Sequence, residues 1–133
     1  MPRAPVPPEI DAFLALANPT VVATVSPNGT PHSAATWYDW EDGRILLNMD
    51  ASRLRLRYLR ANPAVALTVL AAESWYRQVT LLGHAVTIED DPELRDIDRL
   101  SIRYGGGPFE NRNAERVSAW VEVERWSAWP LPS

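Results

Sequence analysis

The chain has 133 residues, 46% of them hydrophobic and 23% charged, which is the size and balance of one globular domain with one core. A formal net charge of -4 leaves no broad basic surface for phosphates, so a nucleic-acid partner is excluded. There is no cysteine, no signal-like apolar run and no stretch near the ~20 apolar residues of a membrane span, so a cytoplasmic protein without disulfides, thiolate chemistry or a membrane partner is expected.

After a proline-rich start, Ile10, Phe13, Leu14 and Ala17 fall at helical spacing and Asn18-Pro19 supplies a stop. Val21 to Val25 is rich in β-branched residues. The turn signal Ser26-Pro27-Asn28-Gly29 then leads into a second strand, Pro31 to Trp40, and Glu41-Asp42-Gly43 into a third, Arg44 to Met49. From Asp50 to Asn62 two periods fit: Arg53 to Arg57 alternates like a strand, while Arg53, Arg57 and Arg60 line one helical face. A helix is preferred, because Asp50 or Ser52 can cap its start and Pro63 ends it.

Ala64 to Leu70 reads as a buried strand, and Trp75 to Ile88, interrupted at Gly83, as one long bent strand or two. Asp91-Pro92 provides an N-cap followed by a first-turn proline. Leu94, Ile97, Leu100 and Tyr104 keep helical spacing, and Gly105-Gly106-Gly107 ends that helix. Val117 to Trp126 alternates apolar and polar as a half-buried last strand does. Six strands joined by tight turns predict a mainly β, antiparallel sheet that closes into a six-stranded barrel with short flanking helices. One domain, 1–133, is expected: a tail and helix over 1–19, the barrel over 20–126 and a tail over 127–133.

The chemistry is narrowed mostly by absences. No Gly-x-Ser-x-Gly elbow offers a serine nucleophile, and neither His32 nor His84 has a second histidine or carboxylate at metal-ligand spacing, so no catalytic residue and no metal ligand is assigned. The glycine triplet follows a helix where a phosphate loop precedes one, and Glu89-Asp90-Asp91 suits the dipole at a helix start. What remains is Ser52 to Arg60, with four arginines in an acidic protein whose basic residues are all arginine. Two readings stand level: an anion cradle of guanidinium forks, and a solvated arginine face.

The stretch from Val21 to Trp126 resembles the split β-barrel flavin and deazaflavin oxidoreductases related to pyridoxamine 5'-phosphate oxidase. The resemblance rests on Ala23-Thr24-Val25-x-x-Asn28-Gly29-x-Pro31-His32, on Trp37-Tyr38, on Arg53-x-Arg55-x-Arg57-x-Leu59-Arg60-x-Asn62-Pro63, and on Glu115-Arg116-Val117. It implies a split barrel, a homodimer with sites at the subunit interface, and coenzyme F420 or, alternatively, FMN as hydride carrier for a small electron-poor substrate. A cofactor-binding protein without catalysis is the other reading. In the deazaflavin-binding branch, the segment matching Ser52, Arg53, Arg55 and Arg57 grips the phosphate and acidic tail, and Thr36, Trp37, Asn48 and Met49 match residues along the ring. Trp75 and Tyr76, with Trp126 and Trp129, are the aromatics that the resemblance makes candidates for closing a pocket from the partner chain. The family usually has lysine at Arg55 and asparagine at Tyr58, so this chain keeps the charge, loses the compact ammonium and gains bulk. Hydride transfer is the cofactor's own chemistry, so the missing triad and metal are no objection.

Overall fold

The computed structural model describes residues 1–130. Helix α1 (Pro8–Leu14) starts on prolines, which lose no hydrogen bond in a first turn, and buries Ile10, Phe13 and Leu14. It stops at Leu14, short of Asn18, because groups from outside satisfy its last carbonyls. Asn18 Nδ2 donates to Phe13 O at 2.9 Å and the Tyr38 hydroxyl to Leu14 O at 2.8 Å.

Strands β1 (Thr20–Val25) and β2 (Pro31–Thr36) form the expected hairpin, with Gly29 at a φ of 88° that favours glycine. The run from Pro31 to Trp40 is not one strand. It breaks after Thr36, and β3 (Asp39–Glu41) pairs instead with β4 (Arg44–Asp50) across a two-residue turn in which Asp42 and Gly43 both have positive φ. The break has a tertiary cause: Tyr38 is drawn inside to cap α1. Helix α2 (Leu54–Ala61), β5 (Ala64–Ala71), β6 (Ser74–Asp90), helix α3 (Arg95–Arg103) and β7 (Arg116–Trp129) complete the chain.

All pairings are antiparallel, in the order β2-β1-β5-β6-β7-β4-β3. The mainly β architecture with short helices is therefore as expected, but the sheet has seven strands and its edges share no ladder. Those edges, β2 and β3, are joined by Trp37-Tyr38 alone, so they lie within about 11 Å, three Cα steps, of each other. The sheet curls into a barrel left open at this seam. Gly83 sits at a bulge in the single long strand β6, where a Cβ would fall 2.1 Å from Glu122 O. Strand β7 runs on to Trp129, so the tail expected from 127 begins later; residues 131–133 lie outside the described residues.

Strand alternation on β4 sorts the interior. Ile45, Leu47 and Met49 join the main core with Val22, Leu67 and Leu81, and α2 adds Leu56 and Leu59. Leu46 and Asn48 point the other way, toward α3, whose Leu94, Ile97 and Leu100 are buried outside that core. The start of α3 differs from expectation. Leu94, at a φ of 60°, is the N-cap residue and Pro92 precedes the helix, yet Asp91 still supplies the cap by accepting from the Asp96 and Ile97 amides at 3.2 and 3.0 Å. At the other end, Gly105 N bonds Ile102 O and Gly106 N bonds Ser101 O, the paired bonds of a Schellman stop.

Candidate functional site

The arginine-rich segment is the helix α2, and only one of its arginines turns inward. Arg53 is the N-cap residue with no side-chain cap bond, which replaces the expected cap by Asp50 or Ser52. Those two are occupied with each other: Asp50 Oδ1 accepts from the Ser52 amide at 2.9 Å and its hydroxyl at 2.6 Å, which holds the Asp50 carboxyl below its ordinary range. From there the helical period places Arg55, Leu56 and Leu59 inside and leaves Arg53, Arg57 and Arg60 exposed.

Arg55 is 7% exposed. Its Nη2 reaches the Thr36 hydroxyl at 3.5 Å, a long contact, and its Nε is buried without any partner. Burial first, and then repulsion from Arg53 and Arg116, lowers its pKa from the usual arginine value. Arginine starts so high that the group still stays charged at neutral pH. Among the described residues no carboxylate stands beside it, and a buried guanidinium without one costs on the order of several kcal/mol, so the described surroundings of this position lack a negatively charged group. The anionic tail of a flavin-type carrier fits that deficit.

Two cavities meet at the end of β2, sharing Ala35, Thr36 and Trp37. The larger, ≈ 440 Å³, has no charged residue in its lining; Ala17, Pro19, Thr20, Ala72 and Tyr104 complete it. Trp37 stacks on Tyr104 there, 5.6 Å between centroids and 15° between planes. The smaller, ≈ 250 Å³, is walled by Asn48, Phe109 and Arg116 over Ile97 and Leu100.

A polar relay leads into the smaller cavity. Asn48 Nδ2 donates to Asp91 Oδ2 at 3.1 Å and to Ser118 Oγ at 3.0 Å, and its Oδ1 accepts from Arg116 Nε at 2.9 Å. The Arg116 guanidinium lies 4.9 Å from the centroid of the Phe109 ring. Phe109 is held by its amide to Asp98 Oδ1 at 2.8 Å, and Arg112 binds the same carboxylate through both Nη atoms.

Thr36, Trp37 and Asn48 thus line cavities, and Arg55 stands beside Thr36 with Arg53 near it. Met49 is packed in the main core, on the face of β4 opposite Asn48, and lines neither cavity. Ser52 and Arg57 are exposed. Trp75 and Tyr76, 66% and 64% exposed, stack on each other at 4.4 Å at the start of β6 and line neither cavity. Trp126 is buried in the core and Trp129 is exposed. Tyr58 meets His32 edge to face at 6.2 Å, where His32 Nδ1 and Thr24 Oγ1 are also buried without partners. Sequence reasoning missed Arg116, Phe109 and Tyr104 as lining groups. The alternation of the last strand, which puts Arg116 on the side of Ser118 and opposite Val117, was the signal for the first.

Residues 6–130 match the sequence model of pyridoxamine 5'-phosphate oxidase. No curated protein matches. Among solved structures, an F420 reductase is 31% identical over 92% of this chain and 98% of its own, with a TM-score of 0.83. A conserved hypothetical protein of Mycobacterium tuberculosis is 25% identical over 98% of this chain and 91% of its own, with a TM-score of 0.70. General Stress Protein 26 of Bacillus anthracis, 18% identical over 90% of each chain with a TM-score of 0.64, shares the fold. With nearly the whole chain inside one family's sequence pattern and the barrel shared with such relatives, this protein belongs to the pyridoxamine 5'-phosphate oxidase family.

Proposed function

We propose that this protein is an F420-dependent oxidoreductase acting on a small, electron-poor organic substrate. The observation that carries the reading is Arg55, a buried guanidinium with an unpartnered Nε beside Thr36, a residue that lines both cavities, the larger of them uncharged and walled by the stacked Trp37 and Tyr104. Arg55 and Arg53 would hold the phosphate and acidic tail of the coenzyme, and Thr36 and Trp37 its ring. The coenzyme, when bound, supplies a two-electron hydride carrier, so the chain needs no nucleophile of its own. Its residues bind, orient and exclude water. The likeness to an F420 reductase supports the same reading.

Titration with F420, followed by the coenzyme's fluorescence, tests it: wild type binds and Arg55→Ala does not. A wild type that ignores F420 but turns yellow with FMN would move the assignment to the flavin, whereas binding with no turnover of any acceptor would leave a carrier protein.

We further read the protein as a homodimer. The outward face of β1, β5 and β6 presents Val21, Ala23, Ala66, Thr68, Thr80 and Leu82 in register, a strip without a charge that a second copy would cover. Trp75 and Tyr76 would then be free to reach the partner's cavity. Light scattering of wild type and of Ala23→Arg tests this, the variant being the monomer. Among the described residues no helix is long and apolar enough to cross a membrane.

A further inference from the structure

We propose that Arg116 is the receptor for a carboxylate on the substrate, and that the substrate is therefore a small planar conjugated acid. This rests on the proposed oxidoreductase reading for its meaning; Arg116 lies close enough to Arg53 and Arg55 for mutual repulsion, but it lines the smaller cavity, which neither of those two arginines does.

Arg116 is half-buried and aimed. Its Nε is fixed on Asn48, which is itself fixed on Asp91 and Ser118, while one face of the guanidinium is covered by Phe109. Among the described residues neither Nη atom has a hydrogen-bond or ion-pair partner. Asp50 and Asp91 on one side and Arg53 and Arg55 on the other lie near enough to be felt electrostatically, yet both carboxylates are committed elsewhere: Asp50 to Ser52, and Asp91 to the first amides of α3 and to Asn48.

The fork defines the ligand. With Nε taken, the free Nη pair presents two parallel donors, which match the two oxygens of a carboxylate. The remaining walls are neutral, with Trp37, Ile97 and Leu100 offering flat apolar area. A volume of ≈ 250 Å³ falls below the ~300 Å³ at which ligand pockets ordinarily begin, so the occupant is small. The shared wall at Thr36 and Trp37 puts this cavity next to the one proposed for the coenzyme ring.

The test uses trans-cinnamate and its neutral isostere cinnamamide, titrated by calorimetry into wild type, Arg116→Gln and Arg116→Lys, with F420 titrated in parallel. Cinnamate should bind wild type at least about tenfold tighter than the amide, the worth of one charge-assisted pair. Arg116→Gln should erase that preference and Arg116→Lys, which keeps the charge without the fork, most of it. Arg116→Lys, which keeps the positive charge near Arg55, should bind F420 within about twofold of wild type, and Arg116→Gln should lose less affinity for F420 than for cinnamate. Equal binding of acid and amide, no cinnamate binding up to about 10 mM, or a loss of F420 affinity in Arg116→Gln as large as the loss for cinnamate would overturn the proposal. Should neither variant fold, the wild-type preference between acid and amide decides by itself. Cinnamate binding without F420 binding would sink the coenzyme reading and leave the carboxylate receptor standing.

Discussion

Two arginines leave bulk water for the interior of this protein, and their surroundings are opposite. Arg103, on α3, has a side chain only 15% exposed, and every part of its fork is used. Nε donates to Tyr38 O at 2.9 Å, Nη1 to Ala15 O at 3.0 Å, and Nη2 to Leu16 O at 2.6 Å and Leu14 O at 3.2 Å, with Asp39 Oδ1 3.0 Å from Nη1. It ties the end of α1 to the seam of the barrel. Arg55, on α2, is buried more deeply and has almost nothing. One guanidinium is saturated and the other is not, and on the function proposed above that difference would separate an architectural arginine from a ligand-binding one.

Arg103→Met should have the largest effect. Removing it leaves Ala15 O without its donor, leaves Leu14 O and Leu16 O to the Tyr38 hydroxyl and leaves Asp39 with Arg99 as its one ion pair, so a loss of about 3 kcal/mol and of about 10 °C in melting temperature is expected by calorimetry. F420 affinity of the folded fraction should not change.

Arg55→Met should act in the reverse sense. Without a ligand the protein should gain about 1–2 kcal/mol, because a buried unpaired charge is replaced by apolar contact, and F420 binding should vanish in fluorescence titration. A destabilised Arg55→Met would mean that Arg55 is structural after all, and the comparison with Arg103 would collapse.

Inorganic phosphate offers a gentler probe. At about ten times its dissociation constant it should stabilise wild type by about 1.4 kcal/mol, and it should leave Arg55→Met unmoved.

The smallest effect is expected at the Gly105–Asn113 loop, which Asp98 fastens from outside. Its hydrogen bonds from Arg112 and the Phe109 amide hold the Asp98 carboxyl below the usual carboxylate range. A depressed carboxyl stabilises the fold above its unfolded-state value, and the contribution is lost as pH falls through the lowered one. The protection factor of the Phe109 amide, its exchange rate relative to an unstructured amide at the same pH, should therefore fall only in acid, below about pH 4. Asp98→Asn should bring that loss of protection to neutral pH with a nearly unchanged melting temperature.

Most elements were legible from local chemistry: the Asn28-Gly29 hairpin, the Pro63 stop after α2 and the glycine end of α3 each depend on one turn of chain. The seam was not. Trp37 and Tyr38 continue a strand pattern, and only the attraction of Tyr38 to the end of α1, far away in sequence, divides it into β2 and β3. The site was half legible for the same reason. Three arginines on α2 and a fourth at its N-cap look equivalent in one dimension, and which of them is buried depends on how the helix sits over β1. Arg116 hides behind Glu115 in a run that reads as plain alternation, while Asn48 and Met49 look alike until the strand period sends them to opposite faces.

The pairing order has one more consequence, for how the molecule comes to exist. β3 and β4 on one flank and β2, β1, β5 and β6 on the other are hydrogen-bonded to each other only through β7, the last of them to leave the ribosome. A nascent chain released before Arg116 therefore holds two separate sheets with raw edges, and chaperone demand should peak just before β7 emerges.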